Sequence, residues 1–198
     1  MLRQDSTSLI QLINFMREKR PEVYRHSIRV AMLAERIATE MNLEVYEKEN
    51  LLRGCFLHDL GKIMLPLDVL EQAAPLTPHQ WKIIRLHPQV GADILHNISD
   101  FEEPIIEVIL HHHERWDGQG YPHGLREKNI PLLARICSVA DAFDAMMCVR
   151  PYRQSLPLEQ VRRELWRNRA IQFDPVITCL TLELFESDTS YFGFIQER

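Results

Sequence analysis

The sequence is short of everything that would place it in a membrane, an oxidising compartment or a nucleic-acid groove. No apolar run approaches bilayer length. The first residues, Met1-Leu2-Arg3-Gln4-Asp5-Ser6, lack the apolar core of a signal peptide. Cysteine is sparse: Cys55, Cys137, Cys148 and Cys179 show no paired spacing, and three of them sit in apolar segments. They read as reduced packing residues of a cytoplasmic protein, with no membrane insertion. Positive charge is in the minority, 23 Lys and Arg against 28 Asp and Glu, which argues against a broad grip on DNA or RNA. A local basic pocket for a small phosphorylated ligand remains compatible with that balance. There is no Gly-, Ser- or Pro-rich linker, no repeat and no segment alternating with period two.

What is present is helical. Apolar residues recur at the spacing of one helix face: Leu9, Leu12, Ile13 and Met16; Ile28, Met32, Leu33, Ala34 and Ile37; Leu51, Leu52, Cys55 and Phe56. The stripes continue with Ile105, Ile106, Ile109 and Leu110, then Leu133, Ile136, Ala140, Phe143 and Met147. Val161, Leu165 and Trp166, then Val176, Leu180, Leu184 and Phe185, complete them. Thr77-Pro78 and Asp174-Pro175 each put a capping side chain before a first-turn proline. Pro104 and Pro131 also suit first turns, Gly61 and Gly118 suit helix ends, and Pro88 marks a break near His87. The expectation is an all-α protein, one domain over 1–198 with about seven to nine helices. Its core spans about 20–180. The aromatic tail 186–198 either packs back on the bundle or joins a partner chain.

Several polar groups stand where polar groups are costly. His58-Asp59 closes the stripe that ends at Leu57, and Gly61 turns the chain. Neighbours on a helix diverge by about 100°, so the pair can share one ion only where the helix ends. A site of imidazole and carboxylate without thiolate suits Fe, Mn, Zn or Ni. A capping histidine beside a solvated aspartate is the competing reading of this pair. His112-His113 repeats the device after Ile105–Leu110; of three consecutive histidines one should face away, and His111 is taken as that bystander. Asp141 lies mid-helix among small and apolar residues, where a carboxylate needs a partner or an ion. Asp144, three residues on, could hold a histidine or a basic group. His26, with Glu22 one turn before it, and His87, before Pro88, are weak signals alone. His79, His96 and His123 read as surface residues.

Together these pieces resemble the HD-GYP branch of the HD phosphohydrolases. The resemblance rests on His58-Asp59 with Lys62, and on His112-His113-Glu114 leading into Asp117-Gly118-Gln119-Gly120-Tyr121-Pro122. Leu76-Thr77, His87-Pro88, Asp141-Ala142-Phe143-Asp144-Ala145, Arg150-Pro151-Tyr152-Arg153 and Gln172-Phe173-Asp174-Pro175 extend it. It covers about 20–180. A Lys-Pro-Gly turn usual in the family is replaced by Gln72-Ala73-Ala74, and His79 and Gln80 replace acidic residues.

The resemblance implies metal ligands His26, His58, Asp59, His87, His112, His113 and Asp141, with Glu22 added in three-metal members. It implies two or three divalent ions, of iron or manganese. Asp59 and Lys62 would serve catalysis, with Lys62 against the scissile phosphate. Arg150 and Arg153 would bind the ligand's phosphates, and Tyr121 would lie near the substrate. The implied activity is hydrolysis of cyclic di-GMP to pGpG, and onward to GMP, in bacterial second-messenger signalling. The alternatives are a hydrolase of another cyclic dinucleotide or nucleotide, and a signalling module docking on GGDEF-type diguanylate cyclases. Docking would use the Gly-Tyr-Pro loop, with Pro122 holding Tyr121 extended and its ring outward.

Overall fold

The computed structural model describes the backbone of residues 2–70, 72, 74–98, 101–148 and 155–187, and side chains from residue 9 to 186 within those ranges. Arg150, Arg153 and the tail 188–198 lie outside the described residues. Helices α1 (Leu2–Lys19), α2 (Pro21–Glu40) and α3 (Val45–Leu57) come first. A 3₁₀ turn (Leu60–Met64) and the single turn α4 (Leu67–Leu70) follow. Then come α5 (Pro78–Ile84), α6 (His87–Ile98), α7 (Glu103–His111) and α8 (Leu132–Met147), and last α9 (Leu158–Arg167) and α10 (Pro175–Ser187). Nine of these have seven residues or more, as the periodicity predicts. Among the described residues there is no strand, only an isolated bridge between Arg169 and Phe173.

The stops act as their chemistry dictates. Thr77 caps α5: its hydroxyl accepts the Gln80 N–H at 3.3 Å while the Gln80 side chain accepts the Thr77 N–H at 2.9 Å. Glutamine thus supplies the returning half of the capping box. The Asp174 carboxylate accepts the Val176 N–H at 2.8 Å at the head of α10. Pro88 bends nothing; it occupies the first turn of α6, where a missing N–H costs little, and the chain break falls at Arg85-Leu86. Gly61 sits inside the 3₁₀ turn rather than closing a helix. A Cβ there would lie 2.0 Å from the His87 carbonyl oxygen, so only glycine lets this turn lie against the head of α6.

Two apolar clusters hold the bundle. The larger joins α2, α3, α8, α9 and α10 around Ile37, Leu51, Phe143 and Leu165; Phe143 stacks on Phe185 at 4.2 Å. The smaller joins α1, α6 and α7 around Met16, Leu60, Leu95, Ile105 and Ile109. Helices α3 and α7 contribute to both, through Cys55 and Leu57 and through Val108 and Ile109. Their C-terminal ends carry His58-Asp59 and His112-His113. Cys55 and Cys137 are fully buried, and Cys148 and Cys179 half-buried.

Candidate metal centre

Five segments far apart in sequence deliver imidazoles and carboxylates to one place. The seven family-implied ligands converge there: His26 from α2, His58 and Asp59 after α3, His87 from α6, His112 and His113 after α7, and Asp141 from α8. His26, His58 and Asp59 form one group of ligand atoms, and His87, His112 and His113 another. Asp59 joins them. Its Oδ2 lies 3.5 Å from His58 Nε2 and 3.8 Å from His26 Nε2, and its Oδ1 lies 3.3 Å from His87 Nε2. Asp141 Oδ1 is 3.1 Å from His26 Nε2.

The backbone fixes which nitrogen faces the centre. His58, His87 and His112 each donate Nδ1–H to the carbonyl three residues earlier: Cys55 (2.6 Å), Ile84 (2.7 Å) and Ile109 (2.8 Å). A carbonyl only accepts, so Nδ1 carries the proton and Nε2 keeps its lone pair. His26 is oriented through a side chain instead, and both its nitrogens face carboxylates, so in the metal-free protein Nε2 also carries a proton, which an ion would displace. Its Nδ1 donates to Asp144 Oδ2 at 2.6 Å, and Arg29 grips both Asp144 oxygens at 2.6 and 3.0 Å.

The electrostatics are those of a site built for cations. Burial pushes His87 down to about 3 and His113 to about 4, and holds His112 well below the usual imidazole range. These rings are therefore neutral, as ligation requires. For Asp59, burial opposes ionisation and is the largest single effect, but Lys62 together with His58 and His87 outweighs it and holds the carboxyl well below the usual range. His26 resists its own burial: hydrogen bonds to Asp141 and Asp144 raise it to about 9. The buried atoms His58 Nε2 and Asp59 Oδ1 have no hydrogen-bond partner. His87 Nε2 and His112 Nε2 stand 3.2 Å apart, lone pair towards lone pair. Two nitrogens about 2.1 Å from one ion stand roughly 3 Å apart when they meet it at a right angle. The donor set suits divalent ions, which His26, His58, Asp59, His87, His112, His113 and Asp141 would hold.

The loop after α7 closes one side. Asp117 accepts from Arg115 at 2.7 Å, and Arg115 reaches Gln172 at 3.3 Å. The Trp116 and Asp117 N–H groups donate to the carbonyls of Gln172 and Ile171. The loop is thereby tied to the head of α10. Gly118 takes φ +79°, and the Tyr121-Pro122 peptide is cis. The Tyr121 ring does not point outward: it stacks on His113 at 4.8 Å, with the Arg85 guanidinium 5.2 Å from its centroid.

Residues 11–177 match the HD domain. The chain belongs to the HD-domain family. The Gly-Tyr-Pro loop beside the centre sets this HD domain in the HD-GYP branch. A Thermotoga maritima protein named cyclic di-GMP phosphodiesterase is 37% identical over 189 residues, covering 93% of this chain and 50% of the relative. The 3'3'-cGAMP-specific phosphodiesterase 2 of Vibrio cholerae is 34% identical over 184 residues, covering 92% of this chain and 35% of the relative. The HD domain of L. monocytogenes PgpH, solved with cyclic-di-AMP, superposes with a TM-score of 0.67 at 22% identity, covering 95% of this chain and 98% of that one. The chain therefore spans half the length of the first relative and about a third of the second.

Within this HD domain, two implied residues stand differently from expectation. Glu22 is exposed on the first turn of α2 and belongs to neither group of ligand atoms. Lys62 points at Asp59, with Nζ 2.6 Å from Oδ2. His111 faces away from the centre, as the bystander reading has it, and His79, His96 and His123 are exposed. Sequence reasoning missed Arg29 and Arg85. Arg29 lies 115 positions from the carboxylate it binds, and no local spacing signals such a pair. Arg85, just past α5, carries no motif of its own.

Proposed function

We propose that this HD domain is a metal-dependent phosphodiesterase that hydrolyses cyclic di-GMP to pGpG and onward to GMP. The observation that carries the proposal is the Asp59 carboxylate, set among His26, His58 and His87 with the Nε2 atom of each facing it. Two divalent ions there, with Glu22 drawn in if a third binds, would be iron or manganese. Bound ions supply positive charge against a phosphodiester and lower the pKa of water. The chain's own residues do the rest. Asp144 and Arg29 hold the His26 ring so that Nε2 faces inward. Lys62, whose ammonium lies beside Asp59 at the centre, would stabilise a non-bridging phosphate oxygen. Tyr121, stacked on His113, forms a flat wall for a base or ribose. Arg150 and Arg153, outside the described residues, would supply guanidinium forks for the ligand's phosphates. The exposed residues Pro122 to Gly124 leave a surface for a GGDEF-type cyclase, without the Tyr121 ring.

A second substrate reading has its own support. The relatives include a 3'3'-cGAMP-specific enzyme at nearly the same identity as the cyclic di-GMP enzyme. Both readings are tested by anaerobically purified protein loaded with iron or manganese and offered the two dinucleotides at equal concentration. Preferential loss of cyclic di-GMP with pGpG appearing first is expected. Intact cyclic di-GMP beside consumed 3'3'-cGAMP would transfer the activity to the second substrate; both left uncut would end the proposal.

A further inference from the structure

Three consecutive histidines run out of the end of α7, and only two of them line the centre. His111, the first of them, is nine-tenths buried and joins neither group of ligand atoms at the centre. It meets Glu114, whose side chain is fully buried, and His123 from the far limb of the loop. One ligand atom from each of these three residues lies within 4.8 Å of the others. The His111 and His123 rings are 5.3 Å apart, centroid to centroid.

The partnering within this cluster is incomplete. His111 Nδ1 is buried with no hydrogen-bond partner. It stands 3.9 Å from Glu114 Oε1, too far to donate to it. The Glu114 carboxylate accepts the His123 N–H at 2.7 Å and the Leu125 N–H at 3.1 Å, one on each oxygen. Each oxygen keeps a second lone pair. Two imidazoles and a carboxylate are a donor set for a borderline divalent ion of the zinc class. His123 is exposed, which gives an ion a way in and leaves one coordination position to water.

We propose that His111, Glu114 and His123 form a separate binding site for a zinc-class divalent ion. It clips the loop carrying Tyr121 to the end of α7. It is distinct from the phosphodiesterase centre, because none of its three residues belongs to either group of ligand atoms there. It needs no catalytic step, so it stands or falls apart from the proposed activity.

The test compares the full chain with the H123Q variant, an exposed change that spares every ligand of the inner centre. Both are dialysed against micromolar zinc and analysed for bound metal. Amide exchange at His123 and Leu125 is followed with and without the ion. The wild-type protein is expected to retain one equivalent more than H123Q, and zinc is expected to slow exchange at these amides in the wild type alone. Equal stoichiometry in the two proteins, or zinc protection of these amides that survives in H123Q, would overturn the site. Because metal content and exchange are read rather than turnover, a catalytically silent protein still decides the question.

Discussion

At the scale of single residues, orientation is set by partners that touch no substrate. Asp144 illustrates this: it holds His26 from behind, and Arg29 holds Asp144. Replacing it as D144N keeps the shape but weakens the acceptor that holds the His26 Nδ1–H and so the aim of Nε2. Loss of such support typically costs roughly 10- to 100-fold in metal affinity or activity. Metal affinity measured on D144N should fall within that range while the far-UV circular dichroism is unchanged. The same residues set a pH dependence. His26 is raised from 6.5 to about 9, so its stabilising pairs are fully present below pH 6.5 and lost as pH rises through 9. His87 and His113 are lowered to about 3 and about 4, so their neutral forms favour the fold above pH 6.5, and that contribution is lost as pH falls towards those values. Metal-free protein should therefore show its highest urea midpoint near pH 6.5, with a fall on both sides. A midpoint rising steadily to pH 10 would contradict the assignment.

At the scale of elements, the site depends on how closely short segments approach. Gly61 has the His87 carbonyl against it, at 2.0 Å from where a Cβ would stand. The G61A variant must push the 3₁₀ turn away from α6, and overpacking of this kind costs about 1–3 kcal/mol. Asp59 and His87 would separate with it. Turnover should fall further than stability does, since a displacement of about 1 Å can cost about 100-fold in rate. Urea denaturation and initial rates on the same preparation check both. Much at this scale was legible in the sequence. The helices followed from the 3.6-residue period, and the Thr77 and Asp174 caps from side-chain type. The convergence of the seven side chains was legible only through the motif, because His26 and His87 carry no local signal of where they point. The facing of Tyr121 was misread. Local backbone preference said extended and outward, and the stacking surface of His113, eight positions earlier, prevailed.

At the scale of the molecule, the two apolar clusters and the polar centre do separate work. The clusters alone hold the helices, since α3 and α7 belong to both. The centre adds a load of neutralised and unpartnered polar groups that an ion relieves. Removing metal with a chelator should therefore leave helical content nearly intact and lower the Tm. An ion at about 100 times its Kd contributes about 2.7 kcal/mol per site. Thermal unfolding followed by circular dichroism, with and without chelator, reads this directly; an unchanged Tm would mean that the folded protein holds no stabilising ion.

Three of the inward-facing rings hang from main-chain carbonyls, at Cys55, Ile84 and Ile109. Their aim is thus a property of the chain's path and not of any neighbour that could be exchanged. Deleting or inserting one residue within the last turn of α3 or α7 would swing a ring through about a quarter revolution. Attempts to redirect the domain to another ion will have to alter what the rings are, since where they look is written into the backbone.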